Sequence, residues 1–210
     1  MKVGLYIGTQ FTPGVDVAAA MKEMSEQVRL ARQSGFSSLW VPHHYLTHPM
    51  QMLAPIPMLS YLLRDAEGMT IGPNILIMPL LNPVHVAEDA VTLDLLSGGR
   101  YVLGIGIGYR DAEFDALNVP IKERVQRMNE SIELMRRLWT EDKVTYTGKI
   151  FKINDLGIGL KPLRKGGPPI WVAAVVDAAV KRAAQLGDAW LITNFAHLSA
   201  LVPQMSMYRK

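Results

Sequence analysis

An α/β fold built on a parallel sheet is predicted by three features of the sequence. Two apolar runs of β character, Thr70–Leu81 and Arg100–Tyr109, bracket one helical run, Val84–Gly99, and spell a strand, helix, strand unit. Neither β run alternates polar with apolar residues, the pattern of a strand buried on both faces. The same β-then-α order recurs along the rest of the chain, each helix returning the chain for another parallel strand.

Taken in order, Lys2–Thr9 reads as a strand and Val15–Ser34 as a helix with Met21, Met24, Val28 and Ala31 on one side. Gly35 stops that helix, and Ser37–Val41 forms the second strand. After a proline-rich loop, Met58–Asp65 forms a short helix. In the central unit the helix carries Val86, Ala90, Leu93 and Leu96 near helical spacing, enters at Pro83 and closes on Ser97, Gly98 and Gly99. Pro120 sets the start of a long helix, Ile121–Trp139. Lys143–Ile153 breaks the rhythm, because two short β runs around Thr147 and Gly148 form a small antiparallel hairpin, an insertion on the scaffold. Ile170–Ala174 is the fifth parallel strand, Ala178–Leu186 its helix, Ala189–Thr193 the sixth strand, and Leu198–Tyr208 begins another helix.

Six strands fall short of the eight that close a (β/α) barrel. Such an array either stays open as a doubly wound sheet or leaves two apolar edges that need covering. With no fixed-period repeat, low-complexity tract or linker, residues 1–210 are expected to form a single domain.

Composition narrows the function classes. At 210 residues and 49% hydrophobic, the chain can bury a large core. It has no cysteine, which excludes disulfides, zinc fingers and thiol nucleophiles. Its 22 basic and 19 acidic residues leave a net charge of +3, and the basic cluster Lys161, Arg164 and Lys165 reads as a solvated loop. Nucleic-acid binding is not expected. The N-terminal apolar run is too short for a signal peptide, and no run reaches membrane-span length, so a cytoplasmic location is expected.

Chemistry in parallel folds sits on the loops after the carboxyl ends of the strands. Those ends read Gly8-Thr9-Gln10, His43-His44-Tyr45, Met78-Pro79, Gly106-Ile107-Gly108-Tyr109, Ala174-Val175-Val176-Asp177 and Thr193-Asn194. Histidines and glycines gather there, and carboxylates scarcely do. His43 or His44 can serve as a proton donor or as a hydrogen-bond donor to a bound ring; the alternative is a pair of loop histidines, one packed and one wet.

His44 and His48 have i, i+4 spacing, which on a helix would present two metal ligands, but Pro42 and Pro49 oppose a helix and Asp177 is the sole further candidate ligand. No metal site is expected. Gly104, Gly106 and Gly108 do not make a dinucleotide loop, because Tyr109 and a strand stand where that loop needs a glycine and a helix start. On a strand they bare one face, either for a flat group or for a neighbouring side chain. Asp177 is a plain helix N-cap or marks an anion-attracting helix start. Trp171, Trp190, Met21 and Met24 are expected in the core.

Three segments carry a resemblance: GFSSLWVPHHY, MPLLNPVHVAEDAVTLDLLSGGRYVLGIGIGYRDAEF and GGPPIWVAAVVDAAVKRAAQLGDAWLI. They resemble successive signatures of the bacterial luciferase-like monooxygenases, flavin-dependent (β/α)8 TIM-barrel enzymes, with about six of the eight βα units present. The resemblance implies reduced FMN, supplied by a separate flavin reductase and used with O2 on a small organic substrate. The deazaflavin F420 is the alternative cofactor. It gives His44 a catalytic or ring-positioning role. Asn74 and Ile75 match the position where many members hold a non-prolyl cis peptide against the ring. Gly106, Ile107, Gly108, Tyr109, Ala174, Val175, Val176 and Asp177 match cofactor-facing positions.

Departures from the pattern accompany it. His43 stands where many relatives have an acidic residue, Tyr109 where F420-dependent sugar dehydrogenases have a catalytic glutamate, and Ile107 where bacterial luciferase has a phosphate-binding arginine. Valines at 175 and 176 replace glycine or polar residues, which leaves phosphate binding to backbone amides with Arg110 or Lys181. Family members continue past Tyr208 into strands seven and eight, so the chain reads as C-terminally shortened. The family implies a homodimer. Met50, Met52, Leu53, Pro55 and Pro57 suggest an apolar substrate. Two other readings stand beside the enzyme: a noncatalytic flavin-binding or partner subunit, and a metal-dependent barrel hydrolase built on His43, His44 and His48.

Overall fold

The computed structural model describes residues 1–193 and 196–209. The chain starts with β1 (Gly4–Tyr6), β2 (Gln10–Phe11), α1 (Val17–Gln33), β3 (Ser38–Val41), β4 (Gln51–Met52) and α2 (Pro55–Leu62). The central unit follows as β5 (Thr70–Pro73), β6 (Leu76–Ile77), α3 (Pro83–Leu96) and β7 (Leu103–Gly106). Beyond it come α4 (Asp111–Ala116), α5 (Arg124–Thr140), the hairpin β8 (Val144–Thr147) and β9 (Lys152–Leu156), then β10 (Ile170–Ala173), α6 (Asp177–Leu186), β11 (Ala189–Leu191) and α7 (Leu198–Tyr208).

Local chemistry sets the helix ends. Asp16 accepts from the amides of Ala18 and Ala19 at the head of α1, at 3.0 and 3.1 Å. Asn82 caps α3 from Val84 N at 2.9 Å, with Pro83 in the first turn. α3 ends on Gly98 and Gly99, whose φ values of 63° and 78° are readily reached without a side chain.

Every neighbouring pair among β1, β3, β5, β6, β7, β10 and β11 is parallel. β1, β3 and β5 form one ladder; β6, β7, β10 and β11 form the other. β5 and β6 are successive pieces of one run, so among the described residues six strand positions follow one another in sequence order, the order of a (β/α) barrel wall. The run predicted as one strand from Thr70 to Leu81 therefore breaks at Asn74 and ends in a 3₁₀ turn, Met78–Leu80.

The core lies between this wall and the helices. Leu39, Ile71, Leu103, Ile105 and Val172 from the strands meet Val28, Leu59, Leu62, Val91, Leu134 and Val180 from the helices, all nearly fully buried. Trp139 N–H donates to Ala87 O at 3.1 Å and ties α5 to α3. β7 is buried on both faces as its sequence predicts, but β3 and β10 alternate buried with half-buried residues. Their less buried residues include Trp40 and Trp171, which line a cavity of about 610 Å³ on the concave side. The two indoles stack at 5.1 Å between centroids, although β5, β6 and β7 separate their strands in the ladder order. In a flat sheet three strand spacings would hold them roughly 14 Å apart, so the wall is strongly curved. Trp171 is thus a cavity residue where the sequence suggested core.

The predicted hairpin is present as β8 and β9, antiparallel and extending to Leu156. The expected solvated loop is corrected: Lys161 Nζ donates to the carbonyls of Leu138 and Glu141, and Arg164 donates to those of Gly99 and Tyr101. These cations close off helix and strand ends. Among the described residues no helix is long and apolar enough to cross a membrane.

Candidate functional site

β3 runs out at Val41, and the two histidines that follow face different surroundings. His43 is buried, and its Nδ1 accepts from the Ile77 amide at 3.2 Å. A ring nitrogen that accepts carries no hydrogen, so the His43 proton sits on Nε2. Burial pushes its pKa down from 6.5 to about 4; the Glu113 charge opposes the fall and His44 adds to it. Neutral His43 is a packing and hydrogen-bonding residue at the head of the loop.

His44 remains 30% exposed through its side chain, and its Nδ1 lies 3.0 Å from Glu113 Oε1. Glu113, on α4, has no exposed surface. The same oxygen accepts from Tyr45 N at 2.8 Å and from Arg110 Nη1 at 3.0 Å. Arg110 Nη1 also donates to Tyr45 O at 3.0 Å. A carboxylate surrounded by donors accepts from His44 Nδ1–H, and whenever the ring holds a single hydrogen Nε2 then carries the free lone pair. Glu113 Oε2 is buried with no partner among the described residues. Tyr109, exposed, sets its ring edge-on to His44 at 5.8 Å.

Glu113 is the residue that the sequence reading missed. Carboxylates were expected to be scarce at the strand ends, and α4 was not predicted. Its signal was short: an Arg110 to Glu113 pair at i, i+3 spacing next to the fully buried Phe114. Arg110, a candidate phosphate ligand in the sequence, is instead bonded to Glu113 and the Tyr45 carbonyl.

The Asn74–Ile75 peptide is cis, at the position where the resemblance placed such a bond. Asn74 N donates to Val41 O at 2.8 Å. The glycine question is answered by packing. A Cβ at Gly104 would run into the Pro73 carbonyl oxygen, and one at Gly106 would come within 3.0 Å of Ile75 Cδ1. The neighbouring strand, not an open slot, fills the bare face. Gly108 has φ 71°, and a Cβ there would sit 2.6 Å from Ile77 Cγ2, so glycine turns the chain past half-buried Ile107 toward Tyr109.

After β10, Ala174 is buried and its carbonyl accepts from Trp190 Nε1 at 2.9 Å, while Val175 and Val176 are exposed. The N-cap of α6 is Val176, and no side chain among the described residues caps the helix. Asp177 therefore does not fill the predicted N-cap role. Its Oδ1 accepts from Gln204 Nε2 at 3.0 Å, and that amide also donates to Val175 O at 2.8 Å. Asn194, at the sixth strand end, lies outside the described residues. At the first, Thr9 is buried and its hydroxyl has no partner among the described residues.

Among the described residues no three His, Cys, Asp or Glu side chains come together to hold a metal. The structure brings together His44, Tyr109, Arg110 and Glu113, with His43 behind them and the cis peptide one strand away.

Comparison with known proteins agrees with this architecture. The whole chain, residues 1–210, matches the luciferase-like monooxygenase family, and it belongs to that family. It is 33% identical over 186 residues to a 5,10-methylenetetrahydromethanopterin reductase of Archaeoglobus fulgidus, covering 88% of this chain and 53% of the relative. An F420-dependent secondary alcohol dehydrogenase in complex with an F420-acetone adduct superposes with a TM-score of 0.84 at 21% identity, covering 99% of this chain and 63% of that one. The oxygenating constituent of 3,6-diketocamphane monooxygenase of Pseudomonas putida, in complex with FMN, gives 0.79 at 19% identity, with coverages of 99% and 61%. The chain spans about half the length of the curated relatives it matches. The two structural likenesses establish the barrel-type fold.

Proposed function

We propose that this chain forms the cofactor-facing part of a cytoplasmic flavin-dependent oxidoreductase, a monooxygenase using reduced FMN and O2 on a small organic substrate. The observation that carries the reading is His44: partly exposed at a strand end, with Nδ1 bonded to a buried glutamate and Nε2 without a partner among the described residues. The residues present suit a flavin. His44 and Tyr109 offer polar ring edges, and among the described residues the buried Thr9 hydroxyl is unpaired and no side chain caps the start of α6. Asn74, Ile75, Gly106, Ile107, Gly108 and Tyr109 would border the ring, and Ala174, Val175, Val176 and Asp177 the phosphate end. When bound, reduced FMN supplies the electrons for oxygen activation. His44 orients the bound group through Nε2 and moves a proton at that atom. A flavin reductase is the partner this reading requires, and a homodimer the assembly.

F420 is the second reading, favoured by the fold shared with the F420-adduct enzyme. Titration of the chain with FMN and with F420, each oxidised and reduced, tests both while cofactor fluorescence and elution volume are followed together. Saturable binding of one reduced cofactor that weakens in His44→Ala supports the enzyme and identifies the branch. A folded chain that binds neither refutes the reading.

A further inference from the structure

Relying on the role proposed for His44, we infer that Glu113 is its positioning residue, fixing the His44 ring in the tautomer that carries hydrogen on Nδ1 and presents Nε2 as an acceptor. Glu113 has no exposed surface, and among the described residues its partners are His44, the Tyr45 amide and Arg110, so it acts through His44.

The geometry supplies the argument. A neutral imidazole chooses which nitrogen holds its hydrogen according to the partner offered to each. Solvent at the exposed Nε2 imposes no choice. The buried Glu113 carboxylate, 3.0 Å from Nδ1, accepts and cannot donate while ionised. It is kept in place by two further donors, the Tyr45 amide and Arg110 Nη1, and Arg110 in turn bonds the Tyr45 carbonyl. The loop that bears His44 is thereby clamped at both the amide and the carbonyl of Tyr45 by Glu113 on α4 and by Arg110 at its N-cap, 65 or more residues further along the chain. His43, the adjacent imidazole, has the opposite arrangement: its Nδ1 accepts from a backbone amide. Two consecutive histidines are therefore set in opposite tautomers by opposite partners. The consequence for the ligand is chemical. A site whose histidine faces it with a lone pair favours a group bearing a hydrogen to share, such as a hydroxyl or a ring N–H, over a bare carbonyl.

Nitrogen-15 NMR of the chain labelled at histidine tests this without any cofactor, since protonated and lone-pair imidazole nitrogens resonate far apart. His44→Gln assigns the signal by its loss. The wild-type chain should show hydrogen on Nδ1 of His44 and on Nε2 of His43. Glu113→Gln, whose side-chain oxygen can still accept, should retain the His44 tautomer, and Glu113→Leu should shift it toward Nε2–H. A wild-type His44 with hydrogen on Nε2 overturns the inference, and it does so even if Glu113→Leu fails to fold. An unchanged tautomer in folded Glu113→Leu overturns it as well. As a second readout, oxidised FMN and F420 are titrated against Glu113→Leu, His44→Ala and the double variant. Each single change should weaken binding roughly tenfold and the pair no more than either alone; additive losses would make Glu113 structural only. Failure of both cofactors to bind the wild type refutes the flavin reading and leaves the tautomer result to decide the role of Glu113.

Discussion

Glu113 Oε1 and His44 Nδ1 stand 3.0 Å apart across 69 residues of sequence, joining α4 to the loop after β3. The carboxylate is fully buried and the imidazole half-open, so one member of the pair is fixed and the other is available. That asymmetry is the arrangement of a supported functional histidine, in which the inner partner decides what the outer face can do.

His43 makes folding stability depend on pH. The unfolded chain takes up a proton near 6.5, whereas the buried ring refuses it down to about 4. The unfolded state thus binds more protons throughout that interval, and stability must fall as pH drops from 6.5 to 4, by at most about 3 kcal/mol. His43→Asn, which can keep an acceptor for Ile77 N, should flatten this slope in denaturant melts taken at successive pH values. A slope unchanged by the substitution would assign the loss to other groups.

Glu130 anchors the hairpin. Its carboxylate accepts from Lys149 N at 2.9 Å and from Ile150 N and Phe151 N at 3.1 Å each, and Gln126 adds a fourth bond. Desolvation pushes its pKa up, but these bonds outweigh it and hold the group below the usual 4.5. Its contribution is therefore present above 4.5 and disappears as pH falls through the depressed value, a window below most of the His43 interval. Glu130→Ala should cost about 3 kcal/mol by stranding three amides and speed hydrogen exchange at residues 149–151. Protection that survives at those amides would contradict the anchor.

Gly104 and Gly8 should respond oppositely to the same methyl group. Gly104→Ala drives a Cβ into the Pro73 carbonyl and should cost about 3 kcal/mol or more. Gly8 has open space around its Cβ position, so Gly8→Ala should stay within about 0.5 kcal/mol. Equal melting temperatures for the two variants would show that the third strand can yield at Pro73.

Gln204 holds the start of α6 from α7. Gln204→Ala removes the bonds to Val175 O and Asp177 Oδ1 and should cost about 1–2 kcal/mol. The effect should be local, with faster amide exchange at 177–178 and little change in the central strands. Uniformly faster exchange would mean that α7 supports the whole wall.

The order of strands and helices was legible because it depends on apolar period and on start and stop signals such as Pro83 and Gly35, which act within a few residues. The (β/α) barrel assignment and the Asn74–Ile75 cis peptide came through resemblance, and the structure carries both. Shorter pieces escaped. β2 and β4 are two residues each, paired across forty positions, and too brief for any pattern to register. α4 has six residues, one and a half turns, and hides Glu113 behind an otherwise ordinary charged segment.

Side-chain partners were the least legible. Lys161 and Arg164 carry charge that composition assigns to solvent, yet backbone carbonyls take it up. The alternating glycines left two readings open, and only the approach of Pro73 and Ile75 chose between them. His43 and His44 are the same residue type on adjacent positions; what separates them is an amide from β6 and a carboxylate from α4, both distant in sequence.

The contact between Trp40 and Trp171 gives the molecule an optical reporter of its own curvature. Two indoles at 5.1 Å share their electronic transitions, so far-ultraviolet circular dichroism should carry a paired positive and negative band contributed by this one contact. Because the strands bearing them are not neighbours, the band vanishes if the wall flattens while every helix and ladder survives. A Trp171→Phe difference spectrum would isolate it, making barrel curvature measurable in solution separately from secondary structure.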